Sequence, residues 1–251
     1  MNDEIDLTLG SLPRPTPTAP KSKPHAAGAH GMFKRYLTLE EQQRLLSTVR
    51  KFGCHEARRD YGWMRLLRAC GLRVGETSKL TTGQADAALQ TGYLYIPRED
   101  RKGKHLDLTV RVTAEAHAAL RDLLTVRQGM TGEQRPARNE PLILNRYGAR
   151  MSVRSYQLRL EHWAREAGFT ERVSPHWLRH TRAINIMRHS QAVDPRGIVK
   201  CVLGHASMKS TFIYTQPTKE DVDAALRTAD LAVGSYRKRD IRRLHSSRVH
   251  A

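Results

Sequence analysis

The chain has 251 residues, enough for one or two domains with a sizeable core and no disulfide or structural metal to hold it. Its formal charge is +18, from 43 Lys and Arg against 25 Asp and Glu, which points to a polyanionic partner: nucleic acid or an anionic membrane surface. Three scattered cysteines, Cys54, Cys70 and Cys201, without a CxxC spacing, exclude a disulfide framework and a Cys-based zinc site. No apolar run approaches the roughly 18 residues of a spanning helix, and the acidic start lacks the apolar core of a signal peptide. A cytosolic protein with no membrane partner is expected.

Residues 1–32 hold five of the eleven prolines and no Phe, Trp or Tyr. Such a segment buries too little apolar surface to offset its ordering entropy, so it reads as a disordered tail. Its three acids and three bases cancel. Residues 235–251 form a second tail, basic, at +5. The remaining +13 falls in the body, residues 33–234.

The body reads mostly as helix. Thr38 with Glu41 is a capping box opening a helix to about Lys51. A second helix is expected over Glu56–Ala69, ended by Gly71, and a short one from Val74. Residues 92–97 are rich in strand formers. Leu106, Leu108, Val110 and Val112 alternate with polar residues, a period of two. These two runs predict a β-hairpin whose tip, residues 98–105, is basic. Thr113 caps a helix to about Val126, and Leu142–Leu144 is a candidate strand. Further helices are expected near 153–167, 176–188, 195–203, 209–215 and 219–231. The fold class is therefore α+β, mostly helical, with a small antiparallel sheet.

Several residues suited to phosphate chemistry punctuate this pattern. Residues 71–76, Gly-Leu-Arg-Val-Gly-Glu, set Arg73 at a helix junction with Glu76 three residues on. Residues 174–180, Ser-Pro-His-Trp-Leu-Arg-His, open a helix and put His176 and Arg179 on one face. Residues 203–205, Leu-Gly-His, place His205 just past a helix end, and Tyr214 follows nine residues later. The i, i+4 pair His176 and His180 also suits a zinc helix. Trp177 stands where such a motif has its Glu, however, and no third ligand is evident. His180 reads as structural, on a different face from His176 and Arg179. Trp163 and Trp177 read as core.

In this order and spacing, over residues 71–214, the set resembles the tyrosine recombinase, or phage integrase, family. That family carries a GLRxxE segment, a hairpin lysine, an HxLRH segment, an LGH segment and a tyrosine about nine residues beyond it. The resemblance implies that Arg73 and Arg179 clamp a phosphate, His176 and His205 add hydrogen bonds, and His176 helps remove a proton from the nucleophile, Tyr214. Lys102 is the implied proton donor to the leaving oxygen, with Lys104 its rival. Glu76 would orient Arg73. The implied reaction is cleavage and rejoining of double-stranded DNA through a 3′-phosphotyrosine, without metal, nucleotide or other cofactor. It serves integration, excision, inversion or resolution, in a homo-tetramer on two DNA sites.

Many family members carry a core-binding domain before the catalytic one, and residues 1–32 offer no counterpart. Affinity and site choice would then depend on oligomerisation or an accessory DNA-bending protein, and the resemblance is closest to compact members such as those that invert short DNA segments. Two other readings stay open: a non-catalytic DNA-binding protein on the same scaffold, and a DNA-relaxing enzyme like the type IB topoisomerases. Val222, Ala225, Leu226 and Ala229 give the last helix an apolar face, for its own core or for a neighbouring subunit.

Overall fold

The computed structural model describes residues 36–103, 106–205, 207–212, 214 and 219–233. Both tails, Lys104 and part of the segment around Tyr214 lie outside the described residues. The first unit is α1 (Leu39–Arg50) and α2 (His55–Cys70). The capping box closes as expected: Thr38 Oγ1 accepts from the Glu41 amide, and the Glu41 carboxylate accepts from the Thr38 amide at 2.9 Å. Next come α3 (Val74–Lys79) and α4 (Thr82–Thr91). Helix α4 was not foreseen, because its small residues carry little apolar periodicity. Its one local signal is a second capping box, Thr81 with Gln84.

Strands β1 (Tyr93–Ile96) and β2 (Leu108–Arg111) pair antiparallel, Tyr93 opposite Arg111 and Ile96 opposite Leu108. Leu94, Ile96, Leu108 and Val110 turn to the core, while Tyr93, Tyr95, Thr109 and Arg111 face outward. The expected alternation therefore holds. A single 3-10 turn, Arg98–Asp100, begins the tip.

Helix α5 (Ala114–Thr131) outruns its expected end at Val126 because Val126 and Arg127 still bury a face against the body. It stops at Gly132. Leu142–Leu144 forms no strand: isolated bridges, Thr81 to Pro141 and Leu144 to Arg150, replace a ladder. Then follow α6 (Val153–Glu166), α7 (Pro175–His189), α8 (Pro195–Leu203), α9 (Lys209–Phe212) and α10 (Lys219–Val233). Helix α9 is shorter than expected.

Two apolar clusters organise these elements. The larger runs from Leu37 to Leu178 and draws on α1 to α7 and the hairpin. At its centre Asp60 is wholly buried. Its oxygens accept from Arg59, Arg159 and the indole nitrogens of Trp63 and Trp163. A buried carboxylate is tolerable only when its lone pairs are used in this way. The smaller cluster joins Ala183, Ile184, Val199, Leu203 and Tyr214. Helix α10 exposes residues 224–230, and Asp221 pairs with Arg188 of α7 at 3.1 Å. Among the described residues, no helix is long and apolar enough to cross a membrane.

Candidate active site

The site forms where the C-terminal ends of α2 and α8 meet the first turns of α7. Arg179 is only 2% exposed, and its Nη1 and Nη2 donate to the carbonyls of Gly71 at 2.5 Å and Leu203 at 2.8 Å. Both carbonyls sit at helix ends, where the backbone dipoles are negative and partly offset the buried charge. Gly71 allows the approach: its φ is +68°, and a Cβ there would lie 2.5 Å from a Leu203 methyl. Burial, reinforced by the like charge of Arg73, lowers the Arg179 guanidinium to about 10. It remains a cation at neutral pH.

Arg73 caps α3, and Glu76 reaches back to it. The Glu76 carboxylate accepts from the Arg73 amide at 2.8 Å and from Nη1 at 2.9 Å. This is the orienting role expected of Glu76. The same carboxylate has a second cation, which the sequence did not single out: Arg101 Nε lies 3.5 Å from Oε1. Arg101 is buried, and its Nη2 donates to the Gly204 carbonyl at 2.6 Å. The only sequence signal for Arg101 was its place beside Lys102 in a charged turn, where most side chains are solvated.

Four rings run in series across the site. His176 meets His180 edge-on at 4.7 Å, His180 tilts against Tyr214 at 5.2 Å, and Tyr214 stacks parallel to His205 at 6.1 Å. His180 is therefore not on a separate face. As i and i+4 on α7, it and His176 share one, and His180 packs directly on the tyrosine. Tyr214 is 6% exposed. Burial raises its phenol above the ordinary value, and Arg179 and Arg73 pull the other way. His205 shares a hydrogen bond through Nδ1 with Thr211 Oγ1 at 2.9 Å. Burial, with the charges of Arg179, Arg73 and Arg101, drives its pKa down to about 4. At neutral pH it is an uncharged ring able to donate a hydrogen bond.

Arg73, Arg179, His176, His205 and Tyr214 thus gather around the α2–α7–α8 junction. Lys102 stands apart on the hairpin tip, exposed to solvent. Among the described residues no group of three His, Cys, Asp or Glu could hold a metal ion. His176 and His180 meet edge-on in the ring series.

This fold, a helical body with a small two-stranded sheet, is that of tyrosine recombinase catalytic domains. The description "Phage integrase family" matches residues 35–221, and the chain belongs to that family. A tyrosine recombinase XerC from Chromohalobacter salexigens is 32% identical over 182 residues, covering 72% of this chain and 56% of that protein. The chain thus spans little more than half the length of that relative. The crystal structure of XerA recombinase superposes with a TM-score of 0.61 at 25% identity, over 77% of this chain and 63% of the other. XerH site-specific recombinase, solved bound to difH substrate in a pre-cleavage complex, gives 0.56 at 22% identity, over 73% and 51%.

Proposed function

We propose that the chain is the catalytic part of a tyrosine-type site-specific DNA recombinase. One observation carries the reading: a buried tyrosine lies against an uncharged histidine, within the electrostatic reach of two arginines that are themselves fixed by helix ends and a buried carboxylate. A catalytic domain over residues 33–234, between a Pro-rich tail (1–32) and a basic tail (235–251), fits the span of the family match.

The chemistry follows from charge. Attack on a phosphodiester crowds negative charge onto the non-bridging oxygens of a pentacoordinate transition state. Preorganised cations and neutral donors aimed at those oxygens stabilise it. Arg73 and Arg179 supply the cations, and His205 and His176 the further hydrogen bonds. Tyr214 Oη attacks phosphorus, the bond to the 5′-oxygen breaks, and a 3′-phosphotyrosine and a free 5′-hydroxyl result. The Tyr214 phenol is held above its ordinary pKa, so it needs help to lose its proton, and His176 is the assigned base. Lys102 protonates the leaving oxygen from the hairpin. The bond energy is retained in the phosphotyrosine, so a 5′-hydroxyl from a second duplex reverses the step. Exchange between duplexes calls for a homo-tetramer on two DNA sites, with an accessory DNA-bending protein where the clamp is incomplete.

Covalent trapping tests this. Cells carrying the protein are lysed in SDS, and protein-linked DNA is recovered and sequenced, with Tyr214→Phe in parallel. DNA linked to the wild type and lost in the variant is the expected result. Non-covalent, salt-sensitive binding with no linked DNA in either would favour the non-catalytic reading.

A further inference from the structure

The hairpin poses a problem for the proposed reaction. A proton donor on a two-stranded tip must be held near the leaving oxygen, yet Lys102 is exposed. Its neighbour Arg101 is not. Arg101 folds back over its own hairpin, Nη1 donating to the carbonyls of Leu106 at 2.6 Å and Asp107 at 3.2 Å. Through Nη2 it crosses to the Gly204 carbonyl, immediately before His205. Its Nε faces Glu76, the carboxylate that also holds Arg73. A single planar fork thus spans three parts of the site, which the point charge of a lysine could not do.

Gly204 is shaped for this contact. Its φ is +60°, and a Cβ there would stand 2.3 Å from Arg101 Nη2 and 2.9 Å from a Leu108 methyl. The side chain is paired through both terminal nitrogens, which ties the hairpin to the turn at Gly204.

We propose that Arg101 is a positioning residue that clasps the hairpin to the Gly204–His205 turn and so sets Lys102 for proton transfer. The proposal rests on Lys102 as the proton donor. Its consequence is specific: losing Arg101 should harm the step in which the 5′-oxygen leaves, not attack or phosphate binding. Misplacing a reacting group by about 1 Å can cost about a hundredfold in rate.

The test uses Arg101→Met and Arg101→Lys in the full chain, on duplexes carrying the sequence recovered by covalent trapping. One duplex has the ordinary 5′-bridging oxygen at the cleaved phosphate and the other has sulfur there. A thiol ionises near a pKa of about 8.5, so a sulfur leaving group departs without a proton donor. Arg101→Met should cleave the oxygen substrate about a hundredfold more slowly than wild type. On sulfur it should return to within about threefold of wild type. Arg101→Lys keeps the charge without the fork and should behave in the same way; it carries the test alone if the Met variant does not fold. Equal loss on both substrates, or no loss on oxygen, overturns the proposal. Lys102→Ala run beside them separates the layers. If sulfur does not restore it, Lys102 is not the donor and the proposal falls with that reading. If sulfur restores Lys102→Ala but neither Arg101 variant, only the Arg101 proposal fails. In the free protein, the peptide 98–108 of Arg101→Met should take up deuterium about tenfold faster with α2 unchanged; unchanged uptake there also overturns it.

Discussion

The body around α2 and the junction of α7 with α8 both bury charge, and they do so differently. In the body, Asp60 is saturated by two arginines and two indoles inside a large apolar cluster. At the junction, among the described residues, the terminal nitrogens of Arg179 bond helix-end carbonyls, and the buried Nε atoms of Arg101 on the hairpin and Arg182 on α7 have no hydrogen-bond partner. The apolar cluster there is small. The first arrangement satisfies the buried carboxylate on both oxygens. The second keeps cationic donors dry and under-used, which is costly in the free protein and useful only if a ligand arrives.

That contrast can be broken experimentally. Tyr214→Phe should have the largest functional effect: covalent DNA capture falls below detection, while urea unfolding stays within about 0.5 kcal/mol of wild type. Asp60→Ala should do the reverse. It strands buried Arg59, and half-buried Arg159 loses its partner, so it should cost about 3–5 kcal/mol in urea unfolding. Cleavage per folded molecule should be unchanged. A parallel loss of both properties in either variant would mean that the two regions are not separable.

Hydrogen exchange sharpens the comparison further. Amides of α2 and α5 should exchange only through global unfolding. Those of α8, Val199 to Leu203, should exchange through a cheaper local opening, at least about tenfold faster. Equal protection would remove the idea of a separately yielding junction.

The smallest effect concerns pH. In the fold, His205 has a pKa of about 4, against about 6.5 for an unperturbed histidine. Between those values the unfolded chain binds the proton and the native protein does not. Its contribution to stability is therefore fully present above about pH 6.5 and is lost as pH falls towards 4. Tm should drop over that interval more for wild type than for His205→Gln, and coincident Tm profiles would refute the assignment.

Much of this was legible in the chain. Capping residues, the alternation around Leu108 and Val110 and the helix-ending Gly71 are local signals, and the elements they announce formed, although the second strand is confined to Leu108–Arg111 and leaves Leu106 exposed. The order of Arg73, His176, Arg179, His205 and Tyr214 was also legible, as a resemblance to the family, and the fold brings these five residues together. The misses share a physical cause. Helix α4 has small residues with little periodicity, so packing between the hairpin and α5 decides it. The Leu142–Leu144 run had strand propensity but no continuous partner to pair with.

The sequence by itself determined the helical body, the hairpin and the order of the arginines, histidines and tyrosine that the fold gathers, because propensity, capping and residue chemistry are properties of short stretches. Only the tertiary structure decided which of those residues meet. Gly71 and Gly204 are ordinary helix-ending glycines until α2, α8 and the hairpin converge, and their missing Cβ atoms then admit Leu203 and Arg101. His180 became a wall of the tyrosine's pocket, and Arg101 a buried clasp rather than a solvated turn residue. Those roles depend on contacts far apart in the chain, His180 with Tyr214 and, a hundred residues apart, Arg101 with Gly204, which no local pattern encodes.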